Sequence, residues 1–176
     1  MAGTSTAIAS RRTGTDLLGI YLNDHLAGAT AGTELARRVA KSHQNGPDGS
    51  VLRQFSQDVA DDRASLVRIM SSLGVTIRTY KVYAAWIGEK AGRLKLNGPL
   101  LTRSPLSSLE ELEILELGVQ GKAAGWRTLL TLAQTDHQLD SGQLERLISR
   151  AERQAELLEE VRRRAADRVI RSRTAG

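Results

Sequence analysis

The sequence predicts an all-α protein, a four-helix bundle with one long crossover connection. Apolar residues recur with helical spacing through four long stretches, roughly residues 16–42, 50–73, 107–134 and 141–170. Breaker chemistry separates the stretches, with Asn45-Gly46-Pro47 after the first and Gly74 after the second. The connections are unequal: short, then long over 74–106, then short again. That order sets two helical hairpins side by side in a single domain over 16–170, flanked by a polar leader (1–15) expected to be disordered and a basic tail (171–176).

The first helix opens near Thr15 and Asp16. Leu18, Tyr21, Leu22, Ala29, Gly32, Ala36 and Val39 fall on one side of it, with His25 among them, so a histidine is aimed at the core. Gly28 and Gly32 lie four apart on the same helix, and each mid-helix glycine costs on the order of 1 kcal/mol relative to alanine, which implies a close approach there. The second helix takes Asp48 or Ser50 as its cap and Gly74 as its stop. Its stripe is Val51, Leu52, Phe55, Val59, Leu66, Ile69 and Leu73, and Asp62 lies within it, one turn after Asp58.

The crossover is basic and holds Tyr80, Tyr83 and Trp86. A short amphipathic helix over Tyr80–Leu94 is expected to pack on the bundle, since a connection this long is rarely a free loop. The third helix carries Leu109, Leu112, Val119, Ala123, Trp126 and Leu130 on one face, with Glu116 beside them. Its other face bears Ile114, Gly118, Gly121, Gly125, Leu129 and Leu132, so cover by the crossover helix or by a second subunit is expected. The fourth helix starts at Asp140 or Ser141, where Asp140 and Gln143 have capping-box spacing, and runs through Leu144, Leu147, Ile148, Ala151, Ala155, Leu158, Val161 and Ala165. Gln154 intrudes on that stripe, and the closing arginines suit a helix C-terminus.

Helix lengths, connection order and the inward polar residues together resemble the ferritin-like superfamily over most of residues 16–170. That resemblance implies a hairpin, a return along the bundle and a second hairpin. Iron-binding members supply one glutamate from each of two helices and a Glu-x-x-His from each of the other two. No Glu-x-x-His is present here. The three histidines are His25, His43 and His137, and the second helix offers Asp58-Val-Ala-Asp61 or Asp62-Arg-Ala-Ser65 at the corresponding place. Carry-over reaches Asp62 and Glu116, with His25 and Gln154 facing inward from the outer helices.

Two readings of these residues follow. In the first, His25, Asp62, Glu116 and Gln154 form a buried hydrogen-bonded network in place of a di-iron site, with neutral His25 bonded to Asp62 or to a residue one turn away. The chain is then a non-catalytic binding or structural module, expected to be a homo-oligomer, with a dimer first among the possibilities. In the second, His25, Asp58, Asp62, Glu116 and Gln154 ligate a divalent metal, for which oxygen and imidazole donors suit iron, manganese or zinc, and the chain is a metal-binding or iron-oxidising protein. Helical rise places Asp62 and Gln154 on one level, Asp58 and Glu116 on another and His25 on a third.

Composition narrows the field further. There is no cysteine, which excludes disulfides and thiolate metal sites. No Gly-x-Ser-x-Gly or phosphate-binding glycine loop occurs, so nucleophilic catalysis has no support. The leader lacks an apolar signal core and no apolar run is long enough for a membrane span, which gives the expectation of a cytoplasmic protein. Net charge is +5, with the basic surplus in the crossover and in 161–176 and an acidic balance over 107–160. Nucleic acid or another anionic partner at the basic C-terminus is the weaker alternative to a solvated helix end.

Overall fold

The computed structural model describes the backbone of residues 4–78 and 105–174 and the side chains of 17–78 and 106–171. Four α-helices make up this part of the chain: α1 (Thr4–Ser42), α2 (Gly49–Ser72), α3 (Pro105–Leu132) and α4 (Ser141–Thr174). No strand occurs among the described residues, and no helix among them is long and apolar enough to cross a membrane. The expected helix over Tyr80–Leu94 lies outside the described residues.

Helix α1 begins at Thr4 and not near Asp16. Ala7, Ala9, Arg11 and Arg12 are good helix formers and no proline interrupts them, so the helix continues through the stretch expected to be an unstructured leader. Its turn into α2 is tight. A Cβ on Gly49 would lie 2.6 Å from the carbonyl oxygen of Gln44, which only glycine avoids. Asp48 is the N-cap residue of α2, but its carboxylate makes no capping bond. It accepts instead from Arg164 Nη2 of α4 at 2.7 Å.

Gly74 ends α2 as expected, in the left-handed conformation with φ of 66°. The amide of Val75 then bonds the carbonyl of Met70 at 2.9 Å, the closing bond of a Schellman motif, and Val75 is buried. Asn23 of α1 holds the segment that follows. Its Nδ2 donates to the carbonyls of Gly19 (2.7 Å) and Thr76 (3.1 Å), and its Oδ1 accepts the amide of Arg78 at 2.8 Å. At the start of α4, Asp140 Oδ1 accepts the amide of Gln143 at 3.0 Å, the expected cap.

Side-chain links fix the helix directions. Tyr21 bonds Thr128 and Arg38 pairs with Glu111, so α1 and α3 are antiparallel. Arg127 with Glu152 and Glu113 with Arg162 set α4 antiparallel to α3. Asp62 with Arg150 and Asp48 with Arg164 set it antiparallel to α2 as well. Helices α2 and α3 therefore run the same way, which is why a long connection must join them. The backbones of α2 and α4 make few close approaches, and long polar side chains bridge the gap between them.

The core is continuous through all four helices, around Leu22, Leu26, Phe55, Met70, Leu112, Leu129, Leu144, Leu158 and Val161. On α2 and α4 it follows the expected stripes apart from Val51, which is exposed. On α1 the buried line is Leu22, Leu26, Ala36 and Val39, so His25 stands to one side of it and not at its centre. On α3, Leu112, Leu115, Val119, Ala123, Trp126 and Leu129 are buried. The other face is covered in part: Gly125 and Leu129 are buried, whereas Ile114, Gly118 and Gly121 are exposed, as is Leu117 beside them.

Because Asn23 supplies two hydrogen bonds that anchor the exit from α2, Asn23→Ala is expected to lower stability by about 1–3 kcal/mol in chemical denaturation. Amide exchange at Arg78 should accelerate in the same variant.

Candidate functional site

Asp62 is the deepest charged group described, at 1% exposure in the middle of α2. Helical spacing from Val59 and Leu66 puts it on the buried stripe, and its carboxylate meets groups from two other helices. Lys122 of α3 donates to Oδ2 at 2.6 Å. Gln154 of α4, itself buried, donates to the same oxygen through Nε2 at 3.1 Å, while its own Oε1 accepts from Lys122 Nζ. Arg150, one turn before Gln154, sets its Nη2 against Oδ1. Carboxylate, ammonium and carboxamide thus close a triangle, with the guanidinium as a fourth side facing out.

Burial pushes the Lys122 ammonium below its ordinary pKa of 10.5. The Asp62 charge and hydrogen bond oppose that shift, and the Arg150 cation adds to it. Oδ2 has two donors, whereas Oδ1 is buried with no hydrogen bond and is offset only by the charge of Arg150 beside it.

The expected level match of Asp62 and Gln154 is present as a direct hydrogen bond. The other inward residues are elsewhere. Asp58 accepts from Gln54 Nε2 on its own helix at 2.8 Å. Glu116 is partly exposed and faces Arg162 Nε at 3.9 Å. His25 is not bonded to Asp62, contrary to expectation; its ring packs edge-on against Tyr21 with centroids 4.4 Å apart and lies against Gly125. A Cβ on Gly125 would come within 3.0 Å of that ring, so this glycine is the one on α3 that serves a close approach. The displacement follows from α1 having two neighbours: Leu22 and Leu26 take the core, leaving His25 to the seam with α3.

A metal implied by the family resemblance does not fit this arrangement. Both Asp62 oxygens face cations, and Lys122 brings a positive charge to the place a metal ion would occupy. Among the described residues no group of three His, Asp or Glu side chains comes together to ligate one. Lys122 and Arg150 were legible in principle. Lys122 lies three residues after Val119 and four before Trp126, inside the apolar stripe, and Arg150 stands three after Leu147 and four before Gln154.

Beside the network, a cavity of about 1120 Å³ opens between α1, α2 and α3. Phe55, Val59 and Leu66 line it from α2, Gly28 and Gly32 from α1, and Gly118, Gly121 and Trp126 from α3. His25, Asp62 and Lys122 reach its wall. The expected close contact at Gly28 and Gly32 is not found among the described residues, since nothing lies within 4 Å of a Cβ built on either, and the same holds for Gly118 and Gly121.

The first three arginines of the basic C-terminus face acids. Arg162 pairs with Glu159, Arg163 with Glu159, and Arg164 with Asp48 and Glu160.

No protein-family model, curated protein or solved structure matches the chain.

Two outcomes are expected. Asp62→Leu strands a buried lysine and should cost about 3–5 kcal/mol in urea denaturation, and adding Lys122→Leu should recover much of the loss. For His25, burial holds the pKa below its ordinary 6.5, with Asp24 opposing. The unfolded chain then takes the proton first, so the stability His25 contributes is fully present above pH 6.5 and is lost as pH falls through the lowered folded value. The stability gap between wild type and His25→Gln should therefore move in favour of the variant as pH falls below 6.5; a gap independent of pH would count against this.

Proposed function

We propose that the chain is a non-catalytic ferritin-like helical bundle that works as a binding module, with a structural polar network where related bundles hold two irons. The clamp of Lys122 and Arg150 on Asp62 carries this reading. It sets a cation against each oxygen of Asp62, where a metal ion would have to bind. Two hairpins with α2 and α3 parallel support the ferritin-like order. The cavity between α1 and α3 is where a partner of this module is held, because it is the large recess among the described residues whose lining is predominantly apolar.

A divalent-metal or iron-oxidising role is the competing reading. It would need Asp62 released from both cations and His25 moved from α3 into the core. A homo-oligomer remains part of the proposal, supported by the exposed Ile114 and Leu117 on α3.

Metal analysis of protein purified without chelator, with thermal melts in added iron, manganese or zinc, tests the proposal. Substoichiometric metal and unchanged melting are expected. A stoichiometric metal lost on Asp62→Asn would replace the network by a metal centre.

A further inference from the structure

We infer that the cleft between α2 and α4 is a binding site for linked phosphates, a di- or triphosphate group taken up by Arg68, Arg146, Arg150 and Arg153. The site is separate from the recess between α1 and α3 and from the basic C-terminus, and it stands whatever either of those binds.

Helix α4 sets up the row. Arg146, Arg150 and Arg153 follow one another at spacings of four and three residues, so one face of the helix carries a guanidinium at each turn over about 10 Å. All three line a cleft of about 630 Å³ in which Ser65 of α2 also stands. Glu145 is the one acid among the described lining residues, and it is exposed.

Acids to match such a row belong on α2 across the cleft, and α2 instead supplies another cation. Arg68 Nη2 donates to the Ser65 hydroxyl at 3.0 Å, which brings a fourth guanidinium to the wall. Arg68, Arg146 and Arg153 form no ion pair among the described residues. Arg150 does meet Asp62, but Lys122 already matches that charge, so Arg150 is a surplus cation whose side chain stays 31% exposed. Other arginines of α3 and α4 do meet acids: Arg127 with Glu152, Arg162 and Arg163 with Glu159, and Arg164 with Asp48 and Glu160. Like charges one turn apart destabilise a helix, and an anion from outside the chain relieves that repulsion.

The class of anion follows from the donors. Guanidinium forks match phosphate oxygens two at a time, and a row of this length is served by several phosphates in line better than by one. The volume falls within the roughly 300–1,000 Å³ of small-molecule sites. No aromatic ring lines the cleft among the described residues, so a nucleotide base has nothing to stack on and the phosphates alone are recognised. Inorganic polyphosphate and the phosphate tail of a nucleotide therefore present the same chemistry to this site.

The test titrates the full chain calorimetrically, in magnesium-free buffer, with tripolyphosphate, ATP, orthophosphate and a short oligouridine. One saturable site for tripolyphosphate is expected, with ATP within about tenfold of it and orthophosphate at least about tenfold weaker. Arg146→Gln combined with Arg153→Gln should weaken tripolyphosphate about tenfold or more. The melting temperature of that variant should hold or rise, because both side chains are exposed and the change removes like charges. Arg163→Gln with Arg168→Gln takes the same charge from the other end of α4 and should change affinity about twofold at most. Should the first pair fail to fold, the wild type decides: tripolyphosphate must shift the amide resonances of residues 142–153 and spare those of 161–171. Absence of saturable binding, equal losses from the two pairs, or shifts spread along all of α4 overturns the site. Orthophosphate as tight as tripolyphosphate, or ATP more than about tenfold tighter, overturns the linked-phosphate class. Oligouridine binding tighter than tripolyphosphate overturns it as well and makes the cleft a nucleic-acid surface.

Discussion

One buried carboxylate constrains the arrangement of three helices. Asp62 has almost no contact with solvent, so its charge is tolerable only if donors or cations reach it from every open side. Its own helix supplies none of the three partners described. Lys122 has to come from α3, and Gln154 and Arg150 from α4, and all must arrive at one level. An apolar core tolerates small slides of one helix along another, whereas a triangle of side-chain contacts from three helices does not. The network therefore acts on register, and it also spans the α2–α4 gap where the backbones make few close approaches. At the far end of the same pair of helices, Asp48 and Arg164 repeat the device.

The cavity stands next to this rigid centre, and the two are linked through α3. Lys122 belongs to the network, yet the glycines before it and the tryptophan after it form the opposing wall of the recess. A helix fixed at Lys122 can carry Gly118 and Gly121 without collapsing onto α1. His25 and Gly125 supply the complementary contact, closing the seam at one end and leaving the middle apart.

Much of the fold was legible because four helices write their period clearly. The stripes on α2 and α4, the stop at Gly74 and the cap at Asp140 all follow from local chemistry. The start of α1 was not legible, since Thr4–Asp16 carries no apolar stripe to signal it, and helix propensity alone is a weak guide. At the site, Asp62 and Gln154 announced themselves as polar residues on apolar stripes, and counting helical rise placed them on one level. His25 was misplaced because a single helix pattern cannot say which of two neighbours a side chain faces. Lys122 and Arg150 were passed over because long cations on helices usually reach solvent, and their burial depends on a partner contributed by another helix. The glycines misled in the opposite direction: sequence reports that a side chain is missing, and only the assembled bundle tells whether a neighbour or a void takes its place.

Lys122 brings its charge to Asp62 at the middle of the bundle, where a metal ion would have to bind. Nitrogen-15 spectra of the lysine ammonium groups test it most directly, recorded with and without manganese(II). The account predicts a Lys122 ammonium resonance protected from solvent exchange and unbroadened by manganese at concentrations that leave the fold intact. Selective loss of signals from Asp62, Lys122 and Gln154 on adding manganese would contradict it.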